Sequence, residues 1–155
     1  MARMVEMGGI YLLLIRLHGP RWIQIGGLEH RLFSGGSYAY VGSARRGMSS
    51  RLNRHLKDEK RLHWHIDYLL RYAEIEVIVY GECASDKECA LANELSRSFE
   101  SILGFGSTDC RCASHLFFSP HRSRLVRIGY SSLNRIGLAP RLYWRKPSIG
   151  VSALD

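Results

Sequence analysis

No apolar run in this 155-residue chain exceeds the six residues Ile10–Ile15, far short of the roughly 20 that a membrane-crossing helix needs. The run is also short for a signal-peptide core, and no small-residue cleavage site follows it, so the expected location is the cytoplasm. Cysteine is scarce: Cys83, Cys89, Cys110 and Cys112 are all there is. Without an export signal, a disulfide framework is disfavoured. Acids are missing altogether between Cys110 and Leu154, and only four of the 22 cations are Lys. There is no repeat or low-complexity segment, and no composition shift marks a linker before about Ser119.

What is present looks globular. Apolar residues make up 46% and charged residues 23%, close to the average for folded domains, which excludes disorder and fibrous architectures. A chain of this length has room for one domain with a real core, not for two domains. The net charge is +8, and it is localised. The acid-free stretch carries Arg111, Arg122, Arg124, Arg127, Arg135, Arg141, Arg145 and Lys146. A second basic run is Arg45, Arg46, Arg51, Arg54, Lys57, Lys60 and Arg61. Clustered guanidinium groups capture polyanions and match phosphate oxygens, which points to nucleic acid; a solubility surface is the plain alternative.

Gly9–Leu17 reads as a buried strand ended by His18-Gly19-Pro20, and Trp22–Ile25 as a short edge piece. Ser37–Val41 alternates, with Tyr38 and Tyr40 on one face. Helices are predicted over Ser49–Leu56 and His63–Tyr72, and a strand over Glu74–Tyr80. Ser85-x-x-Glu88 has the form of a capping box opening a helix from about Asp86 to Leu103, with Leu91, Leu95, Phe99 and Ile102 as its apolar stripe. His115–Ser119 reads as a strand. The tail from Pro120 carries no clear pattern. The outline is α/β (α+β), a small, mostly antiparallel central sheet flanked by helices. A core over residues 1–119 is followed by a basic extension over 120–155.

Cys110-x-Cys112-x2-His115, with Cys89 as a fourth donor, invites a zinc reading. Its one-residue gap is tighter than the usual two to four, so buried structural thiols are the preferred expectation.

Gly9-Ile10-Tyr11 opens one strand, Tyr40-Val41-Gly42 closes another, and Ser43 through His55 runs from there into a helix. Together they resemble the GIY-YIG nuclease superfamily. The narrower resemblance is to its small stand-alone Uri-type endonucleases. It rests on Tyr40-Val41-Gly42-Ser43-Ala44, His63-Trp64-His65-Ile66-Asp67-Tyr68-Leu69-Leu70, Glu88-Cys89-Ala90-Leu91, and Gly104 through Cys112 with His115-Leu116-Phe117. It spans roughly residues 8 to 119.

The resemblance implies a compact GIY-YIG-type core and a metal-dependent endonuclease hydrolysing DNA, in repair or recombination. Tyr11 and Tyr40 would orient the attacking water or accept its proton, which a phenol near pKa 10 does only if a cation favours its anion. Arg51 would hold the scissile phosphate. His55, at i+4 on the same helical face, would bind phosphate or relay a proton. Glu88 would hold one Mg2+ or Mn2+. Glu88 lies near the centre of an apolar stripe, where a carboxylate usually has a partner; Glu94 is the second choice for the metal.

DNA contacts are expected from Ser43, Arg45, Arg46, Arg54, Arg111, Arg122 and Arg124, from the basic tail generally, and by base stacking on Phe117, Phe118, Tyr130, Tyr143 and Trp144. A frayed, branched or single-stranded substrate and a recognition partner protein are both compatible with so small a core. His63, Asp67, Asp109 and His115 form a possible second polar cluster; His65, two residues from Asp67 on a helix, does not face it.

Two features depart from the family pattern. An extra residue precedes Arg51, which leaves Arg46 as a rival for the phosphate role. The late Asn of the superfamily has no clear equivalent, with only Ser107 and Asp109 in that region. The competing functions are a catalytically silent nucleic-acid-binding module and a zinc-stabilised interaction module.

Overall fold

The computed structural model describes residues 7–146. A six-stranded sheet carries the fold, ordered β6-β7-β4-β1-β5-β8, every pair antiparallel. The strands are β1 (Met7–Leu17), β4 (Gly36–Arg46), β5 (Glu74–Glu82), β6 (Glu100–Ser101), β7 (Leu116–Ser119) and β8 (Arg141–Trp144). A separate ribbon pairs β2 (Arg21–Gln24) with β3 (His30–Phe33). The helices are α1 (Met48–Leu56), α2 (His65–Leu69), α3 (Glu88–Ser96) and α4 (Arg122–Arg135). The expected class, a mixed α/β domain with a central antiparallel sheet, is the one found.

β1 is apolar almost throughout, as a central strand covered on both faces must be. Its alternate residues feed two cores. Ile10, Leu12 and Leu14 pack with Ala39, Val41, Val77 and Val79 beneath α3 and α4. Tyr11, Leu13 and Ile15 pack with Tyr38, Ile66, Leu69 and Phe105 on the side of α1, α2 and the β2–β3 ribbon. Burying these side chains contributes on the order of 1.5–3 kcal/mol each.

Several boundaries move. β4 runs on to Arg46, past the expected Val41. α2 covers His65–Leu69 of the expected His63–Tyr72, and α3 is shorter than its apolar stripe suggests, because Phe99 and Ile102 reach the core from a turn and from the residue after β6. The capping box does not form: Asp86 Oδ1, not Ser85, accepts the Glu88 amide. Of the basic extension, residues 120–146 are described and form α4 and β8, while 147–155 lie outside the described residues. α4 buries Leu125 and Leu133 in the first core, and β8 pairs with β5. No helix among the described residues is long and apolar enough to cross a membrane.

Candidate active site

Tyr11 stands opposite Gly42 and Leu13 opposite Tyr40, so strand alternation puts both tyrosines on the α1/α2 face. Gly42 is dictated by this arrangement: a Cβ there would lie 2.5 Å from the Tyr11 ring. Tyr11 is buried, with Oη 2.8 Å from His55 Nε2. Tyr40 is half-buried, edge-on to His55 and to Phe105. Gly106, at φ +71°, brings its loop flat against the Tyr40 ring, where a Cβ would sit 3.1 Å away.

α1 supplies the next two groups. His55 follows Arg51 by four residues and therefore lies one turn along the same face. Arg51 Nη1 donates to the Ser43 carbonyl at 3.0 Å, and its guanidinium lies 4.7 Å over the Trp64 ring. Arg51 thus takes the inward place for which Arg46 was the rival; Arg46 ends β4 exposed.

Glu88 comes from the other face. Ser43 has the opposite parity to Tyr40 and Gly42, and its Oγ donates to Glu88 Oε1 at 2.5 Å. Glu88 Oε2 lies 2.9 Å from His115 Nδ1, an ion-pair contact outside the angle of an aligned hydrogen bond. The two faces communicate because β7 covers β4 only over Ser37–Tyr40, with a last link from the Val41 amide to the His115 carbonyl. Beyond that link no strand among the described residues covers the β4 edge. Groups from both sides of the sheet meet there.

The electrostatics follow from burial. Desolvation, then the charge of Tyr40, pushes the Tyr11 phenol far up; Arg51 opposes the shift. Desolvation and Glu88 do the same to Tyr40. Desolvation lowers His55 to about 4, so its ring is neutral near pH 7, and its Nδ1 has no partner. Burial raises the Glu88 carboxyl, but His115, Ser43 and Arg51 together outweigh it and hold it below the usual carboxylate range. Both tyrosines therefore stay protonated near neutrality unless further positive charge enters, while Glu88 stays ionised.

Cys89, Cys110, Cys112 and His115 bring their donor atoms within 4.8 Å of one another, a cluster that could hold a metal. The expectation of buried structural thiols does not describe them: Cys89 is exposed, Cys110 and Cys112 half-buried, and all are free. Burial and the two neighbouring thiols push Cys112 up to about 12.

The remaining expected residues scatter. Asp67 is buried, accepts a bidentate pair from Arg54 at 3.0 Å and caps α2 through the His63 and Trp64 amides. Arg54 is thereby committed to structure. His63 is exposed, its ring tilted against Trp64. His65 accepts the Gly106 amide, Asp109 is exposed, and His115 belongs with Glu88 and the thiols, so the second polar cluster does not assemble. Arg45 and Arg111 are exposed. Arg122 bonds Glu76, and Arg124 bonds the Ser98 carbonyl from α4, across the sheet from Tyr11. Glu94, the rival metal ligand, pairs with Arg97 and Arg135. Phe117 is core; Tyr130, Tyr143 and Trp144 are exposed.

Trp64 is the site residue that sequence reasoning passed over. It lies under Arg51, under Arg54 at 4.3 Å, and beside His55. The available signal was a Trp flanked by two His, shortly after a basic helix.

One family model, described as Domain of unknown function DUF123, matches residues 10–138. No curated protein and no solved structure matches the chain.

Proposed function

We propose that this chain, which belongs to the DUF123 family, is a metal-dependent endonuclease that hydrolyses phosphodiester bonds in DNA by GIY-YIG-type chemistry in the cytoplasm. One observation carries the proposal: Tyr11, Tyr40, Arg51 and His55 converge on one face at the open β4 edge, and Glu88 reaches that edge from the other. The four free thiols suit a reducing compartment.

The residues fit a hard divalent ion of the Mg2+ or Mn2+ kind held by one carboxylate. Glu88 is ionised and about a quarter exposed, and such ions keep most of their coordination as water and phosphate oxygen. When bound, the ion polarises the phosphate and adds the positive charge that the phenols lack. Arg51, braced by the Ser43 carbonyl and the Trp64 face, holds a phosphate oxygen and shares its developing charge. Tyr40, the more accessible phenol, orients the attacking water. The neutral His55 hydrogen-bonds Tyr11 and fixes its oxygen in the cleft. A DNA-structure preference, and a partner protein that supplies it, extend the same proposal.

The second reading, a catalytically silent DNA-binding module, draws on the engagement of both Glu88 oxygens by Ser43 and His115.

Supercoiled plasmid and branched duplexes incubated with Mg2+, Mn2+ or EDTA test the proposal. Metal-dependent nicking should fall by at least about 100-fold in Arg51→Ala, the scale of losing a single preorganised charge-stabilising group, and be lost in Glu88→Ala. Circular dichroism must show both variants folded. Salt-sensitive binding with no cleavage under any metal would leave the silent module standing.

A further inference from the structure

We propose that Cys89, Cys110, Cys112 and His115 form a closed zinc site, and that Glu88 is the carboxylate that orients its histidine. The metal is separate from the hydrolytic ion.

Four donors converge from two separate pieces of chain. Cys89 is the second residue of α3, Cys110 and Cys112 lie in the irregular segment before β7, and His115 ends that segment. All four donor atoms fall within 4.8 Å of one another. In a tetrahedral site with Zn–S near 2.3 Å, donors stand about 3.8 Å apart, so a small contraction around the ion completes the geometry. Three thiolates and an imidazole are a soft set that selects zinc over Mg2+ or Ca2+. With four protein ligands no position remains for water, which makes the site structural. Exposure of Cys89 gives the ion a way in.

His115 supplies the second, independent observation. Its Nε2 lies 3.5 Å from Cys110 Sγ, inside the cluster, while its Nδ1 faces Glu88 Oε2 at 2.9 Å on the opposite side. A metal-bound imidazole almost always offers its other nitrogen to a carboxylate or carbonyl, which fixes the ring's orientation and tautomer. Glu88 is in turn held by the Ser43 hydroxyl. A chain Ser43–Glu88–His115–metal thus runs from β4 to the thiols.

The fold gives the ion something to hold. The segment from Gly104 to His115 is almost without regular structure, yet it buries Phe105 in the second core and lays Gly106 against Tyr40. An ion bridging α3 to the end of this segment would fasten it. Because Glu88 touches both centres, the zinc site would also set the carboxylate that the proposed hydrolytic site uses. That last consequence rests on the nuclease reading; the zinc site itself does not.

The full chain, purified without a metal-affinity tag, should carry one zinc per chain by elemental analysis. Replacement by Co2+ should produce the thiolate charge-transfer and tetrahedral ligand-field bands of a sulfur-rich site. On the wild type, a thiol reagent should find only Cys83 reactive, and all four cysteines after a strong chelator. This arm needs no variant to fold. Cys83→Ser should retain full zinc, and Cys112→Ser should lose the cobalt spectrum. Glu88→Gln should keep the same spectrum but bind zinc 10- to 100-fold more weakly in a chelator competition, the usual effect of removing a histidine's outer partner. Less than stoichiometric zinc that added zinc does not correct, iron in its place, or four thiols equally reactive before chelation would overturn the site. Unchanged zinc affinity in Glu88→Gln would overturn the role given to Glu88. None of these readouts depends on cleavage.

Discussion

His55 shows how burial sets chemistry at one residue. Its ring is nearly inaccessible, hydrogen-bonded to Tyr11 through Nε2, and lowered by desolvation to about 4. An unfolded histidine titrates near 6.5. Between those values the unfolded chain binds a proton that the folded chain refuses, so stability must fall as pH drops from 6.5 towards 4. The full effect is roughly 3 kcal/mol. Urea denaturation at pH 7, 5.5 and 4.5 should show a stability loss that is visibly smaller in His55→Gln, which cannot titrate. Parallel pH dependences would mean that His55 is already charged or already solvated. At this scale the sequence was largely legible: the spacing that puts His55 above Arg51 is helical arithmetic. Trp64 was not, because its role depends on a bend between α1 and α2 that no period encodes.

That bend is where the elements depend most on one side chain. Asp67 closes α2 by accepting the His63 and Trp64 amides, and it grips Arg54 of α1 with both oxygens. Its burial leaves no water to replace these bonds. Asp67→Ala should therefore cost about 3–5 kcal/mol, the range for breaking a buried, hydrogen-bonded charge pair, measurable as a lower urea midpoint. A loss under about 1 kcal/mol would mean that Arg54 and the two amides find other partners. Element boundaries were less legible than element types, for physical reasons. α3 ends at Ser96 although its apolar spacing continues, because a turn and the short β6 can also deliver Phe99 and Ile102 inward. α4 went unseen because its buried stripe is Leu125, Gly129, Ser132 and Leu133, half of it residues that hydropathy does not mark as core.

Across the whole molecule, the distribution of charge differs from what the linear sequence suggests. The acid-free tail looks like a free basic arm, yet in the fold Arg122 meets Glu76, Arg135 meets Glu94, and Arg124 lies over Phe99. α4 also packs on the face opposite Tyr11 and Tyr40. Arg45 and Arg46 sit exposed at the end of β4, on the strand that carries the candidate site's open edge, and Arg111 is exposed in the neighbouring segment. If the proposed DNA contact is at that edge, its phosphates are met there. Each phosphate neutralised contributes about 0.9 to the slope of log affinity against log salt on duplex DNA. Arg45→Glu with Arg46→Glu should weaken binding to a labelled duplex and flatten that slope by roughly 2, read by fluorescence anisotropy across a salt series. Arg122→Glu with Arg127→Glu removes the same formal charge from α4 and should change the slope by less than about half as much, since it alters only the distant field, which salt screens beyond about 10 Å. Equal effects from the two pairs would show that net charge alone draws the nucleic acid. A larger effect from the α4 pair would move the docking surface to the opposite face of the sheet and separate it from Tyr11, Tyr40 and Arg51.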